Sequence, residues 1–105
     1  MFGPKPFGTW SNLSGKNCGK QYQFLKTGIR YRVIEEFYDF DHHLHPVDEV
    51  WTFLGYSFLP YDDGLSWFVS VDGVQEWHIR MKCSGEEQGK IVNSLKNYLR
   101  EDLFA

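Results

Sequence analysis

A chain of 105 residues has the length of one domain, and 42% hydrophobic residues with 18% aromatic supply the apolar area for a core. No stretch approaches the roughly 18 consecutive apolar residues of a membrane span. Met1-Phe2-Gly3-Pro4-Lys5-Pro6 lacks the pattern of a secretory leader, so a cytoplasmic protein is expected. The net charge of -3 conceals a segregation that disfavours duplex nucleic acid as a ligand of the middle segment: residues 1–32 carry six Lys or Arg and no acid, and residues 33–79 carry ten Asp or Glu and no Lys or Arg. Either the basic and acidic parts pair internally, or the acids form a face for a cationic partner.

Residues 1–28, rich in Gly, Pro, Ser, Asn and Lys, read as an irregular strap. Phe2, Phe7, Trp10 and Leu13 are too apolar for a plain tail, so some are expected to dock. Cys18 and Cys83 are far apart, without CxxC spacing, and are expected as free thiols. Residues 29–83 carry the β signal. The run 30–40 alternates, with Tyr31, Val33 and Phe37 on one side and Ile34, Tyr38 and Phe40 on the other, so both faces are partly buried or a bulge intervenes near Glu35-Glu36. A polar loop from Asp41 to Glu49 leads to the strand Val50–Tyr56, then to a loop with Pro60-Tyr61-Asp62-Asp63-Gly64.

Leu65, Trp67, Val69 and Val71 share one face of the next strand, as do Trp77, Ile79, Met81 and Cys83 of the strand after it. A two-residue turn at Asp72-Gly73 would set inward residues opposite outward ones, whereas an odd loop would not. The loop Val71-Asp72-Gly73, with Gly73 left-handed and Trp67 opposite Trp77, is therefore predicted. Residues 84–101 have helical spacing: Ser84 and Glu87 form a capping-box pair, and Ile91, Leu95, Tyr98 and Leu99 make an apolar stripe. The expected fold is mainly β (α+β): a small antiparallel barrel or strongly curved sheet, with an N-terminal strap and one C-terminal amphipathic helix.

The order strand, acidic loop ending in Asp48-Glu49, strand, loop, strand, tight turn, strand resembles a Src-homology-3-like barrel over about residues 29–83. Glu36-Phe37-Tyr38-Asp39-Phe40 is similar to the aromatic-acidic motif of that fold's first long loop. The chain lacks the tandem tryptophan and the closing Pro-x-x-Tyr segment, so the proline-rich ligands which that family implies are not carried over. Tyr31-Arg32-Val33, His45-Pro46-Val47, Glu49-Val50-Trp51-Thr52-Phe53-Leu54-Gly55, Pro60-Tyr61-Asp62-Asp63-Gly64-Leu65 and Trp77-His78-Ile79-Arg80 also resemble an uncharacterised bacterial family of small domains, over most of residues 28–98. That resemblance implies bacterial origin and no activity.

Three groups of residues carry possible chemistry. Asp39, Asp41, His42, His43 and His45 are dense enough to ligate zinc or another divalent metal, although HExxH spacing and cysteine ligands are missing. The alternatives are a loop of His–acid hydrogen bonds, or a pH sensor in which carboxylates favour the imidazolium. Tyr38, Phe40, Trp51 and Tyr61 as apolar anchors, with Asp39, Asp41, Asp48, Asp62 and Asp63 as steering charges, suit a basic protein partner. On the outer face of the last hairpin, Phe68 beside Ser66, Ser70, His78 and Arg80 is either a partner anchor or is covered by the strap or the helix. Glu35 and Glu36 point to opposite faces of a strand, and no GxSxG, phosphate loop or Cys/His/Asn pattern occurs. The leading expectation is therefore a non-enzymatic protein-interaction module, in one version an immunity or inhibitor protein; a metal-binding protein or metal-dependent enzyme is the alternative.

Overall fold

The computed structural model describes residues 1–12, 17–59 and 63–102. Its strands are β1 (Phe2–Pro6), β2 (Cys18–Gly19), β3 (Gln21–Tyr22), β4 (Leu25–Lys26), β5 (Arg30–Val33), β6 (Phe37–Tyr38), β7 (Leu44–His45), β8 (Val50–Leu59), β9 (Gly64–Ser70), β10 (Gln75–Lys82) and β11 (Leu99–Glu101). The helix α1 (Glu86–Asn93) and a 3-10 turn at Leu95–Asn97 precede β11. The fold is mainly β, as expected, but the sheet is not closed into a barrel: its antiparallel order is β1-β10-β9-β8-β5-β11, with β2 added beside β8. The Src-homology-3-like barrel is thereby corrected to an open sheet. Its two edges, β1 and β11, come from the chain termini, which the barrel reading treated as a strap and a helix.

The β9–β10 hairpin bears out the alternation argument. Leu65, Trp67, Val69, Ile79 and Met81 are all buried in one core with Tyr31, Val33, Trp51 and Phe53. Trp67 lies opposite Ile79 rather than Trp77. Inward residues still face inward ones, but the reversal sits one residue further along the chain than predicted. Side-chain hydrogen bonds decide this: Asp72 accepts from the Val74 and Gln75 amides (2.8 Å each), and the Ser70 hydroxyl accepts from Gly73 N–H (2.9 Å). These bonds place Val71 at the turn, half exposed, instead of in the core. Gly73 does adopt the left-handed conformation (φ 78°).

A bulge between Phe53 and Gly55 switches the inward parity of β8, so Trp51 and Phe53 face the core and, beyond it, Tyr56 and Phe58 stand opposite Trp67 and Leu65. The expected long strand 30–40 instead stops at Val33, and Phe37–Tyr38 pairs with Leu44–His45 as a separate hairpin. The helix also stops short of residue 101. Ser94 leaves helical geometry (φ -129°), and Leu99 pairs with Val33, so both side chains are buried. Asn93, Ser94 and Asn97 are weak helix formers, and strand pairing satisfies the backbone while adding Leu99 to the core. No capping box forms: Gly85 precedes the first turn, which carries Glu86 and Glu87 at the positive end of the dipole.

The strap docks. β1 lies along β10, and Trp10 stacks on Phe68 (centroids 6.5 Å apart, planes at 8°). Glu76, fully buried, fixes the turn that delivers Trp10. Its carboxylate accepts from the Gly8, Trp10 and Ser11 amides and from the Ser11 hydroxyl. Burial alone would raise its pKa, but those four donors hold it below the usual glutamate value. Leu13 lies outside the described residues.

Candidate functional site

The β6–β7 hairpin positions most of the residues singled out in the sequence. Phe37 and His45 are paired across it and turn inward, with their rings stacked 4.8 Å apart. Tyr38 and Leu44, the next pair, turn outward and are 53% and 43% exposed. The loop between the strands is closed from inside by Asp39, whose Oδ1 accepts from the Asp41 and His43 amides at 3.0 Å each.

His45 is clamped on both sides. Nε2 lies 2.8 Å from Asp39 Oδ2, and Nδ1 lies 2.6 Å from Glu49 Oε1, which also accepts from Trp51 Nε1 at 3.2 Å. Two carboxylates facing two ring nitrogens are satisfied only when both nitrogens carry protons. Burial alone would lower the His45 pKa; the Glu49 and Asp39 carboxylates outweigh it and raise the value. For Asp39, burial opposes ionisation, while His45, the His43 amide and the N-terminal ammonium (3.4 Å) together bring its pKa below the ordinary carboxylate value. The arrangement is a buried ion cluster that pins the hairpin to β8 through Glu49 and Trp51.

The candidate metal residues do not converge. His42 is exposed, His43 Nδ1 lies 2.6 Å from the N-terminal amine, and both His45 nitrogens are engaged. Asp41 makes a bidentate pair with Arg80 (2.8 and 3.0 Å). Among the described residues no three His, Cys, Asp or Glu side chains form a metal-holding group.

Of the candidate partner-binding residues, Tyr38 and Phe40 are exposed, and Phe40 carries the Arg80 guanidinium over its ring at 5.3 Å. Trp51 and Asp39 are buried in the core and the ion cluster, and Phe68 lies beneath Trp10, so none of the three is a surface anchor. Asp63 sits in a turn, its carbonyl accepting from Cys83 N–H at 2.8 Å; Tyr61 and Asp62 lie outside the described residues. The acidic segment is largely consumed within the fold: Asp39 and Glu49 by His45, Asp41 by Arg80, Asp48 by Arg32, Asp72 by its turn and Glu76 by the strap.

Sequence reasoning missed the groove between this hairpin and α1. About 190 Å³ in volume, it is lined by Glu36, Phe37, Tyr38, Glu87, Lys90, Ile91 and Tyr98. The Gln88 side chain bridges its two walls, donating to Tyr38 C=O (2.9 Å) and accepting from Lys82 N–H (3.2 Å). The only sequence signal was the pair of acids at each margin, Glu35-Glu36 and Glu86-Glu87. Among the described residues no helix is long and apolar enough to cross a membrane.

No curated protein matches the chain. An integron cassette protein from the mobile metagenome of Vibrio cholerae has a similar structure: TM-score 0.75, 32% sequence identity, with 80% of this chain and 92% of that one covered. A family described as a domain of unknown function, DUF3601, matches residues 8–101, and it is to this family that the chain belongs.

Proposed function

We propose that this is a protein-interaction domain, and that its docking surface is the β6–β7 hairpin with the groove against α1. The observation that carries the reading is the outward pair Tyr38 and Leu44, standing beside an apolar-floored groove with Glu36 and Glu87 on its margins. Most other acids are occupied within the fold, but the side-chain carboxylates of Glu35, Glu36, Glu86 and Glu87 have no hydrogen-bonding or ion-pair partner among the described residues. Two carboxylates against the single ammonium of Lys90 leave the groove negative. Its complement is a protein surface presenting Lys or Arg beside an aliphatic or aromatic side chain, with the charges setting encounter and register and the apolar contact setting residence. An inhibitor or immunity protein acting on a cationic enzyme is the concrete form of this reading.

Selection of a displayed random-peptide library against the full chain tests it. Enriched peptides carry Lys or Arg next to an apolar residue and bind more weakly as salt rises. The double variant Glu36→Lys/Glu87→Lys weakens them about tenfold or more, as does Tyr38→Ala/Leu44→Ala. Enriched peptides without cationic residues, or unchanged affinity in the charge-reversed variant, overturn the proposal.

A further inference from the structure

A second concavity, larger than the first, opens at the end of the core that the β8 bulge creates. About 280 Å³ in volume, it is lined by Asn17, Tyr22, Tyr56, Phe58 and Cys83. Three of these five residues are aromatic, and none is basic. Tyr56 and Phe58 are brought to it because, past the bulge, they stand opposite Trp67 and Leu65 and remain only partly buried against the core. Tyr22, from the β3–β4 hairpin, stands at an angle to Tyr56 (centroids 5.2 Å apart, planes at 59°) and is backed by Trp67 at 6.3 Å.

The walls are held in place. Gly19 of β2 is paired with Tyr56, and a Cβ at Gly19 would fall 2.8 Å from Tyr56 Cε1, so a larger residue there would push the ring from its place. Tyr22 Oη lies 3.8 Å from Cys83 Sγ. Burial, with the neighbouring Cys83, pushes the Tyr22 phenol up to about 12, so the ring is neutral at physiological pH. Asp63 adjoins Cys83 at the same end of the core: its carbonyl accepts from Cys83 N–H at 2.8 Å, and burial, with a smaller contribution from the Asp63 charge, raises the Cys83 thiol pKa.

We infer that the pocket walled by Tyr22, Tyr56 and Phe58, with Asp63 at its margin, binds a methylated ammonium group. Aromatic rings attract cations through their quadrupoles, and several rings around one site suit a weakly hydrated quaternary nitrogen better than a primary ammonium. The volume lies near the lower end of ligand pockets, which matches a trimethylammonium head and not a large cofactor. The nearby acid adds the same sign of selectivity, and no Lys or Arg among the lining residues fills the space. The group would come either from a free small molecule such as choline or from a trimethylated lysine of a protein.

Aromatic ¹H–¹³C correlation spectra of the full chain, titrated with choline, with a trimethyl-lysine peptide and with 3,3-dimethylbutan-1-ol, test the inference. The alcohol is the uncharged isostere of choline. Saturable shifts are expected at Tyr22, Tyr56 and Phe58 with at least one cationic ligand, and about tenfold weaker binding of the alcohol. The tighter cationic ligand identifies the source. Tyr22→Phe retains binding, and Tyr22→Leu loses most of it. Equal affinity for the neutral isostere overturns the inference, as does the absence of saturable shifts at these rings with either cation. Both results are read on the unaltered chain, so they stand whether or not a variant folds.

Discussion

Replacing His45 by leucine isolates the clamp at the centre of the hairpin. The imidazole is buried, with Asp39 and Glu49 on its two nitrogens at 2.8 and 2.6 Å. Removing one member of a buried ion cluster leaves uncompensated charge and costs about 3–5 kcal/mol. Asp39 retains two backbone donors, and Glu49 retains the Trp51 indole and some solvent. The expected loss is therefore at the lower end, about 3 kcal/mol, out of a total of roughly 5–15 kcal/mol for a domain of this size. At roughly 4 °C per kcal/mol this lowers Tm by about 12 °C.

Urea unfolding of wild type and His45→Leu between pH 3 and 9 measures the effect, and the pH dependence has a definite sign. The raised His45 pKa makes its contribution complete below the unfolded value, about 6.5, and lost as pH rises through the folded value. The lowered Asp39 pKa makes its contribution complete above its unfolded value, about 4, and lost as pH falls through the folded one. The difference between the two proteins is thus widest between about pH 4 and 6.5 and narrows on either side. A loss below about 1 kcal/mol at pH 6, or a difference that grows toward pH 9, refutes the clamped imidazolium.

Glu76→Gln replaces a buried carboxylate that gathers four donors from the strap. It is expected to cost about 2–3 kcal/mol and to speed amide exchange at Gly8, Trp10 and Ser11 ahead of the core strands, which hydrogen-exchange NMR reads directly. Gly73→Ala puts a side chain at φ 78° where no atom lies within 4 Å, so the penalty is backbone strain alone. A loss of about 1 kcal/mol with unchanged spectra of Trp67 is expected in thermal unfolding.

Much of the sheet was legible because period-two alternation reports directly which side of a strand is dry. Leu65, Trp67, Val69, Ile79 and Met81 are buried as their spacing requires, and the parity argument for an odd loop identified the left-handed Gly73. The candidate site was legible only in part. Tyr38 and Phe40, expected as anchors, are exposed, but the alternation of the run 30–40 did not decide this, because the strand stops at Val33; Phe68 and Trp51 did not become anchors. Trp10, reached from a strap 58 positions away in sequence, covers one, and the core absorbs the other.

Local pattern by itself determined the β-rich class, the inward faces of the last hairpin and the presence of an amphipathic helix before the C-terminus, since these depend on neighbours two to four residues apart. Partners distant in sequence decided the rest. Val33 recruited Leu99 and ended the helix early, Glu76 gathered the amides of Gly8, Trp10 and Ser11, and the β8 bulge turned two aromatic rings toward an open end of the core. Hydrogen-bond satisfaction of buried charge and backbone acts through space and not along the chain, so only the assembled structure assigns those residues their places.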